Sequence, residues 1–275
     1  MRRYFVPAAV VVALFLAAPP AGADPSEEEG LFASGTQALA EGRPGDAIAD
    51  FEALADRGVV DPAASFDRGL SYANRIRIGA EQPGDLGRAA LGFVEARELT
   101  KDAALAKDAA RALALVRGEV ARRRVRAGDP ALLDQGTPLG RTIVELLPEN
   151  AWAALAAIGS VALGLGLFVR GTASRRRGRV GASLACAVAA PLFVSGAVLA
   201  LAARSDRLHL VEGIIVAPTA RPADEKGIAI PGATSIPEAA RVAILGERPG
   251  WVHVRWGSLV AWIPSQTSRP IARAE

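Results

Sequence analysis

Three uninterrupted apolar runs divide the chain, and between them the spacing of hydrophobic positions changes. Residues 5–18 form a short apolar run behind Arg2 and Arg3, followed by Pro19, Pro20, Ala21, Gly22 and Ala23. A charged start, an apolar core and a small-residue cleavage pattern predict an export signal over 1–23. Residues 151–169 and 180–203 each approach the length a helix needs to cross a hydrocarbon layer, which predicts two transmembrane helices. Trp152 stands at the entry of the first, and Pro191 is expected to kink the second.

Between residues 24 and 126 the pattern is helical and repeats. Gly35 and Gly69 lie in corresponding first helices, Ala47 and Phe51 in one second helix, and Ala89, Phe93 and Ala96 in the next. Small residues let the helices cross closely, and the aromatic fills the space beside them. A third helical stretch places Leu105, Ala109, Ala112, Leu113, Val116 and Val120 on one face and predicts a cap that closes the stack. Its arginines, from Arg111 to Arg126, are expected to form a solvated helix end. Residues 127–150, with Pro130, Pro138 and Pro148, read as a tether that carries a short helix around 141–147.

From Val211 onward the pattern becomes short strands with Pro and Gly punctuation. Strands are expected over 213–217, 241–245, 251–256 and 259–263, with 218–233 as a flexible loop. In 251–256 the alternation puts Val252, Val254 and Trp256 on one face and Trp251, His253 and Arg255 on the other.

Charge changes the picture once it is partitioned. The net charge is +3, yet residues 24–149 carry 16 basic against 22 acidic side chains, and residues 204–275 carry 9 against 7. The excess sits at Arg2 and Arg3 and in Arg170, Arg175, Arg176, Arg177 and Arg179, between the two long apolar runs. Such a cluster predicts a cytoplasmic loop over 170–179, with both larger segments exported. It also removes the case for nucleic-acid binding. The arginines have anionic lipid headgroups within reach, although a topology signal suffices to explain them.

The chain is 51% hydrophobic and 22% charged, with Cys186 its one cysteine and His209 and His253 its two histidines. Disulfide pairing within the chain and Cys-based zinc binding are thereby excluded. Neither a phosphate-binding glycine loop nor a nucleophile elbow occurs, and Asp224 and Glu225 fall in a loop. No catalytic residue, metal or cofactor is expected, and the chain reads as a non-enzyme.

Gly35, Ala47 and Phe51, matched by Gly69, Tyr72, Ala89, Phe93 and Ala96, resemble the tetratricopeptide repeat. Leu31 and Ser65 stand where that repeat has its early tryptophan. The resemblance implies an interaction groove, with Gln37 and Asn74 as candidate contacts. Pro237 and Glu238, the run from Gly250 to Arg255, and Ala261, Trp262, Ile263 and Pro264 resemble a bacterial SH3-like domain. That likeness implies a small all-β barrel over 204–275, in which Trp251 and Trp262 either pack or form a binding platform.

The expected architecture is therefore multi-domain: all-α repeats over 24–126, a linker over 127–150, two transmembrane helices, and the barrel. In this order the chain is similar to the BatE-like proteins of the Bacteroides aerotolerance operon. That likeness implies a membrane scaffold associated with von Willebrand factor A proteins and a MoxR-type ATPase in stress tolerance. The competing expectation is a wall-binding or envelope-sensing protein whose barrel holds peptidoglycan.

Overall fold

The structure, a computed structural model, describes residues 25–130, 133, 143–144, 146–209 and 211–273. The expected export signal lies outside the described residues, as do residues 141, 142 and 145 of the expected helix at 141–147.

Among the described residues five helices come first: α1 (Pro25–Ala40), α2 (Pro44–Asp56), α3 (Pro62–Arg77), α4 (Asp85–Leu99) and α5 (Ala103–Arg126). Local chemistry sets their starts. Proline opens α2 and α3, where its missing N–H costs no helical bond. The Asp61 carboxylate accepts the Ala64 N–H at 2.8 Å, and Asp102 accepts the Ala104 N–H at 2.9 Å. Each helix packs on the next in sequence.

Two equivalent contacts organise the pairs. A Cβ on Gly35 would stand 3.0 Å from the Phe51 ring, and one on Gly69 would stand 2.9 Å from the Phe93 ring. Ala47, Ala89 and Ala96 are fully buried beside them. Tyr72 is buried in the second pair, at the position Ala38 takes in the first. The second pair is the tighter one, because a Gly69 Cβ would also lie 3.0 Å from the Ala89 carbonyl oxygen. Gly69→Ala is therefore expected to cost about 1–3 kcal/mol. Gly35→Ala, which presses only on a ring that can shift, should cost less. Thermal unfolding of the two variants side by side checks the order.

In α5, Ala109, Leu113, Val116 and Val120 are buried as their spacing predicts, and the stripe continues to Arg124, which is only 7% exposed. Arg124 thus departs from the expected solvated end. Its Nε donates to the Pro130 carbonyl at 3.0 Å, so its stem packs while its head satisfies the chain that turns back. Its neighbours Arg122, Arg123 and Arg126 instead converge on Glu119, and hydrogen bonds from Arg123 and Arg122 pull that carboxyl down to about 2.

Helices α6 (Glu149–Thr172) and α7 (Arg176–His209) form an antiparallel hairpin. Both are long and apolar enough to cross a membrane, with mean hydropathy of 2.1 and 2.3 over their most apolar stretches. Small residues sit where the helices touch. A Cβ on Gly159 would lie 2.6 Å from Phe193 N, and one on Gly196 2.8 Å from Ala156 N. Helix α7 continues through Pro191, and the Ser195 hydroxyl donates to the Pro191 carbonyl at 2.7 Å. The connector is shorter than the expected loop over 170–179. It comprises only residues 173–175, so Arg170 lies in the last turn of α6 while Arg176, Arg177 and Arg179 lie in the first turn of α7. Arginine is a good helix former, and helices continue past their apolar stretches at little cost.

Seven strands follow: β1 (Val211–Ile215), β2 (Thr219–Ala220), β3 (Ile236–Pro237), β4 (Arg241–Arg248), β5 (Trp251–Trp256), β6 (Leu259–Pro264) and β7 (Ser268–Pro270). The main sheet is antiparallel in the order β6-β5-β4-β1-β7, and β2 pairs with β3. Strand β4 runs past the expected turn to Arg248 and closes on β5 through Pro249 and Gly250, where a φ of +77° suits glycine. The stretch 218–233 is tied down: Ala223 exchanges both backbone bonds with Trp262, and Ala220 and Ala223 are buried. This pairing covers the outer edge of β6. Pro270 blunts the edge of β7, so neither edge is left as a long bare template. Val252, Val254 and Trp256 face inward as the alternation predicts.

The helices and the sheet share one core. Leu86, Leu91 and Val94 of α4 and Leu113, Val116 and Val120 of α5 pack in one cluster with Ile214, Val216, Ala239 and Ile271 from the β part. Leu133, inside the expected tether, is buried in that cluster, and its carbonyl accepts the Trp256 indole N–H at 2.9 Å.

Candidate functional site

The surface of interest is the seam where α4 meets the sheet. Every residue of α4 from Asp85 to Ala96 is buried or nearly so, because the helix is enclosed by α3, α5 and β1. Its approach to β1 needs glycine. A Cβ on Gly84 would lie 2.3 Å from the Val216 carbonyl oxygen, and one on Gly87 would lie 2.5 Å from that of Ile215. Gly84 also adopts a φ of +92°, a left-handed geometry that side chains disfavour.

Polar groups lock the seam at both ends of α4. The Gly87 N–H, one of the unpaired donors of the helix start, donates to the buried Glu238 carboxylate at 2.7 Å. Toward the other end, Glu95 accepts the Ala272 N–H at 3.1 Å and pairs with the Arg68 guanidinium, both side chains being almost fully buried. Beyond it Arg241 bridges Glu98 at 2.6 Å and also binds Glu212. Gly87, Leu91, Glu95 and Glu98 follow one another at helical spacing, so a single stripe of α4 serves the sheet.

A cleft of about 250 Å³ opens along this seam. Its walls combine apolar Val59, Val60 and Leu91 with Arg68, Arg88 and Glu52, and its far side is the C-terminal stretch 269–272. The charged groups are connected. The Tyr72 hydroxyl donates to Glu52 at 2.9 Å, Glu52 lies 3.9 Å from Arg68, and the Arg88 guanidinium lies over the Tyr72 ring. Burial pushes the Tyr72 phenol upward. A second, wider cleft of about 490 Å³ lies between the start of α4, the end of α5 and Thr219. Arg123 crosses it to Glu81 at 3.0 Å.

No protein-family model matches this chain, and no curated protein or solved structure does. Its own geometry carries the functional argument.

Residues expected from the sequence to act at a site are dispersed. Gly35, Ala47, Phe51, Gly69, Tyr72, Ala89, Phe93 and Ala96 lie inside the helical pairs. Gln37 is exposed and donates to Glu41, just past the end of its helix, at 2.8 Å, and Asn74 is half-buried; neither lines either cleft. Trp251 and Trp262 are half-buried on the outer face of the sheet. His253 stacks on Trp262 with centroids 4.6 Å apart, and the Arg248 guanidinium lies 4.2 Å from the Trp262 ring centre and 5.4 Å from that of Trp251. The pair is thus packed by its own neighbours. Among the described residues no three His, Cys, Asp or Glu side chains converge to hold a metal ion.

The seam residues missed by sequence reasoning are Gly87, Arg68, Glu95 and Leu133. A second glycine one turn into a helix was the available signal for close backbone approach.

Burial raises both seam carboxyls, Glu95 and Glu238, above the usual 4.5. A carboxyl raised on folding contributes stability that is full below about 4.5 and lost as pH rises through its folded value. Glu238→Gln keeps an oxygen to accept the Gly87 N–H and removes the charge. At neutral pH it should change stability by no more than about 1 kcal/mol. The wild type should gain on the variant as pH falls toward 4.5, which paired thermal melts across that window would show.

Proposed function

We propose that this chain is a membrane-anchored, non-catalytic scaffold whose exported body presents an interaction surface to protein partners. On this reading α6 and α7 cross the cell membrane, the arginine turn lies in the cytoplasm, and both the helical array and the sheet stand outside. The observation that carries it is the pair of equivalent Gly–Phe packings, Gly35 on Phe51 and Gly69 on Phe93. They support a tetratricopeptide-like repeat, an architecture built to display side chains along a groove. The five-stranded sheet suits the SH3-like reading of the C-terminal part. The partner surface is then the seam cleft, where exposed Val60 adjoins Arg88, a mixture suited to an extended or helical segment.

Partners of the kind implied by the BatE-like resemblance, von Willebrand factor A proteins and a MoxR-type ATPase in envelope or oxidative stress tolerance, belong to the same reading. The wall-binding alternative has less support, because His253 and Arg248 already cover the tryptophan faces that a sugar would need. The test uses full-length chain in detergent with a purified von Willebrand factor A protein. Association that Val60→Asp weakens at least tenfold is expected, while Trp251→Ala leaves it unchanged. Failure to associate, together with retention on sacculi through Trp251, would favour the alternative.

A further inference from the structure

The five arginines at the hairpin turn are not equivalent. Arg170 lies in the last turn of α6, where a cation complements the helix carbonyls. Arg179 folds back over the turn, its Nε donating to the Ala173 carbonyl at 3.1 Å and its Nη2 reaching the Ser174 carbonyl at 3.5 Å. These two close the hairpin. The side chains of Arg175, Arg176 and Arg177 are exposed and make no hydrogen bond or ion pair among the described residues. Within the hairpin no anion is available to them, because the sequence contains no Asp or Glu between Glu149 and Asp206. Two of them also open α7, the end of a helix at which cations are disfavoured.

Their depth is set by the apolar belts. Val169 precedes Arg170 and Val180 follows Arg179, and the belt from 151 to 169 rises roughly 28 Å at the helical pitch, close to the thickness of a hydrocarbon core. The three arginines therefore stand about one turn beyond that core, at the level of lipid phosphates. The guanidinium fork matches phosphate oxygens in pairs.

Resting on the membrane-hairpin reading above, we propose that Arg175, Arg176 and Arg177 bind the phosphodiester headgroups of anionic phospholipids in the leaflet they face, whereas Arg170 and Arg179 serve the turn itself. The hairpin is then a lipid-selective anchor as well as a topology signal. The group fits a lipid better than a soluble anion, because it flanks apolar helix surface that would seat the acyl chains. Phe168 and Leu184, about two turns along the two helices it joins, are exposed.

The test reconstitutes the full-length chain from detergent into vesicles of phosphatidylcholine alone or mixed with phosphatidylglycerol. Gentle re-extraction is followed by mass spectrometry of the retained lipid. Wild type should retain phosphatidylglycerol over phosphatidylcholine by roughly tenfold or more. The triple variant Arg175→Gln, Arg176→Gln, Arg177→Gln should lose that preference, and the triple lysine variant should keep part of it. Arg170→Gln with Arg179→Gln should preserve it. Equal retention of the two lipids by wild type, or an unchanged preference in the glutamine variant, would overturn the proposal. So would displacement by inorganic phosphate at the ionic strength used, which would assign the arginines to a soluble anion. A chain that floats with neither vesicle type would overturn the hairpin reading itself.

Discussion

Gly87→Val should part the helical array from the sheet. A Cβ at this position would meet the Ile215 carbonyl oxygen at 2.5 Å and Val216 Cα at 2.7 Å, and both obstacles are backbone, at the end of the interior strand β1 and at the residue that follows it. No side-chain rotation relieves such a contact, so α4 or β1 must move. Movement breaks the Gly87–Glu238 bond, worth about 1.5–3 kcal/mol when the acceptor is charged, and opens the shared cluster around Leu91 and Ile214. A combined loss of at least about 3 kcal/mol is expected, enough to lower the melting temperature by roughly 6–12 °C. Hydrogen exchange should quicken in β1 and α4 together and leave α1 and α2 largely protected. Gly45→Ala serves as control: it sits in the first turn of α2 with nothing near its Cβ position, so it should be neutral or slightly stabilising. Unchanged melting and unchanged exchange for Gly87→Val would mean that helices and sheet do not dock as described.

That seam marks where sequence reasoning stopped. The Gly–Phe contacts were legible because both partners lie within a few turns of one another and the spacing repeats. The hairpin was legible because a long apolar run has few alternatives, and β5 because Val252, Val254 and Trp256 alternate strictly. Docking of α4 on β1 had no such signature. Gly87 and Ile215 are far apart in sequence, and no periodicity links a helix stripe to the backbone of a remote strand. Reading the helical and β parts as separate domains followed from that gap. Arg124 was misjudged for a related reason, and Arg68, Glu95 and Glu238 carried no signal of burial: such residues look like surface in a linear pattern, and only their partners make burial tolerable. Trp256 was placed on the correct face, but its acceptor, Leu133, lies in a stretch whose composition suggested a tether. For the candidate site, the sequence pointed to Gln37 and Asn74 on first helices, whereas the cleft is walled by α2, α3, α4 and the C-terminal stretch, where the chain itself supplies one side.

The buried Arg68–Glu95 pair sets the second large effect. Both side chains are withdrawn from water, and Glu95 is engaged twice, by the guanidinium and by the Ala272 N–H. Deleting one partner strands the other charge, so Arg68→Met should cost about 3–5 kcal/mol. The double variant Arg68→Met with Glu95→Met leaves neither charge of the pair stranded and forfeits mainly the acceptor for Ala272. It should be less damaged than the sum of the single variants by more than about 1 kcal/mol, a coupling that a double-mutant cycle in thermal or denaturant unfolding measures directly. Acidity separates this account from a mere packing defect. Burial already raises the Glu95 carboxyl, Arg68 opposes the rise, and Glu52 adds to it. Without Arg68 the carboxyl titrates higher still. Because a raised carboxyl restores stability as it takes up its proton, the deficit of Arg68→Met should shrink as pH falls from 7 toward about 4.5. A deficit that stays constant across that range would show that Arg68 matters for its volume and not for its charge.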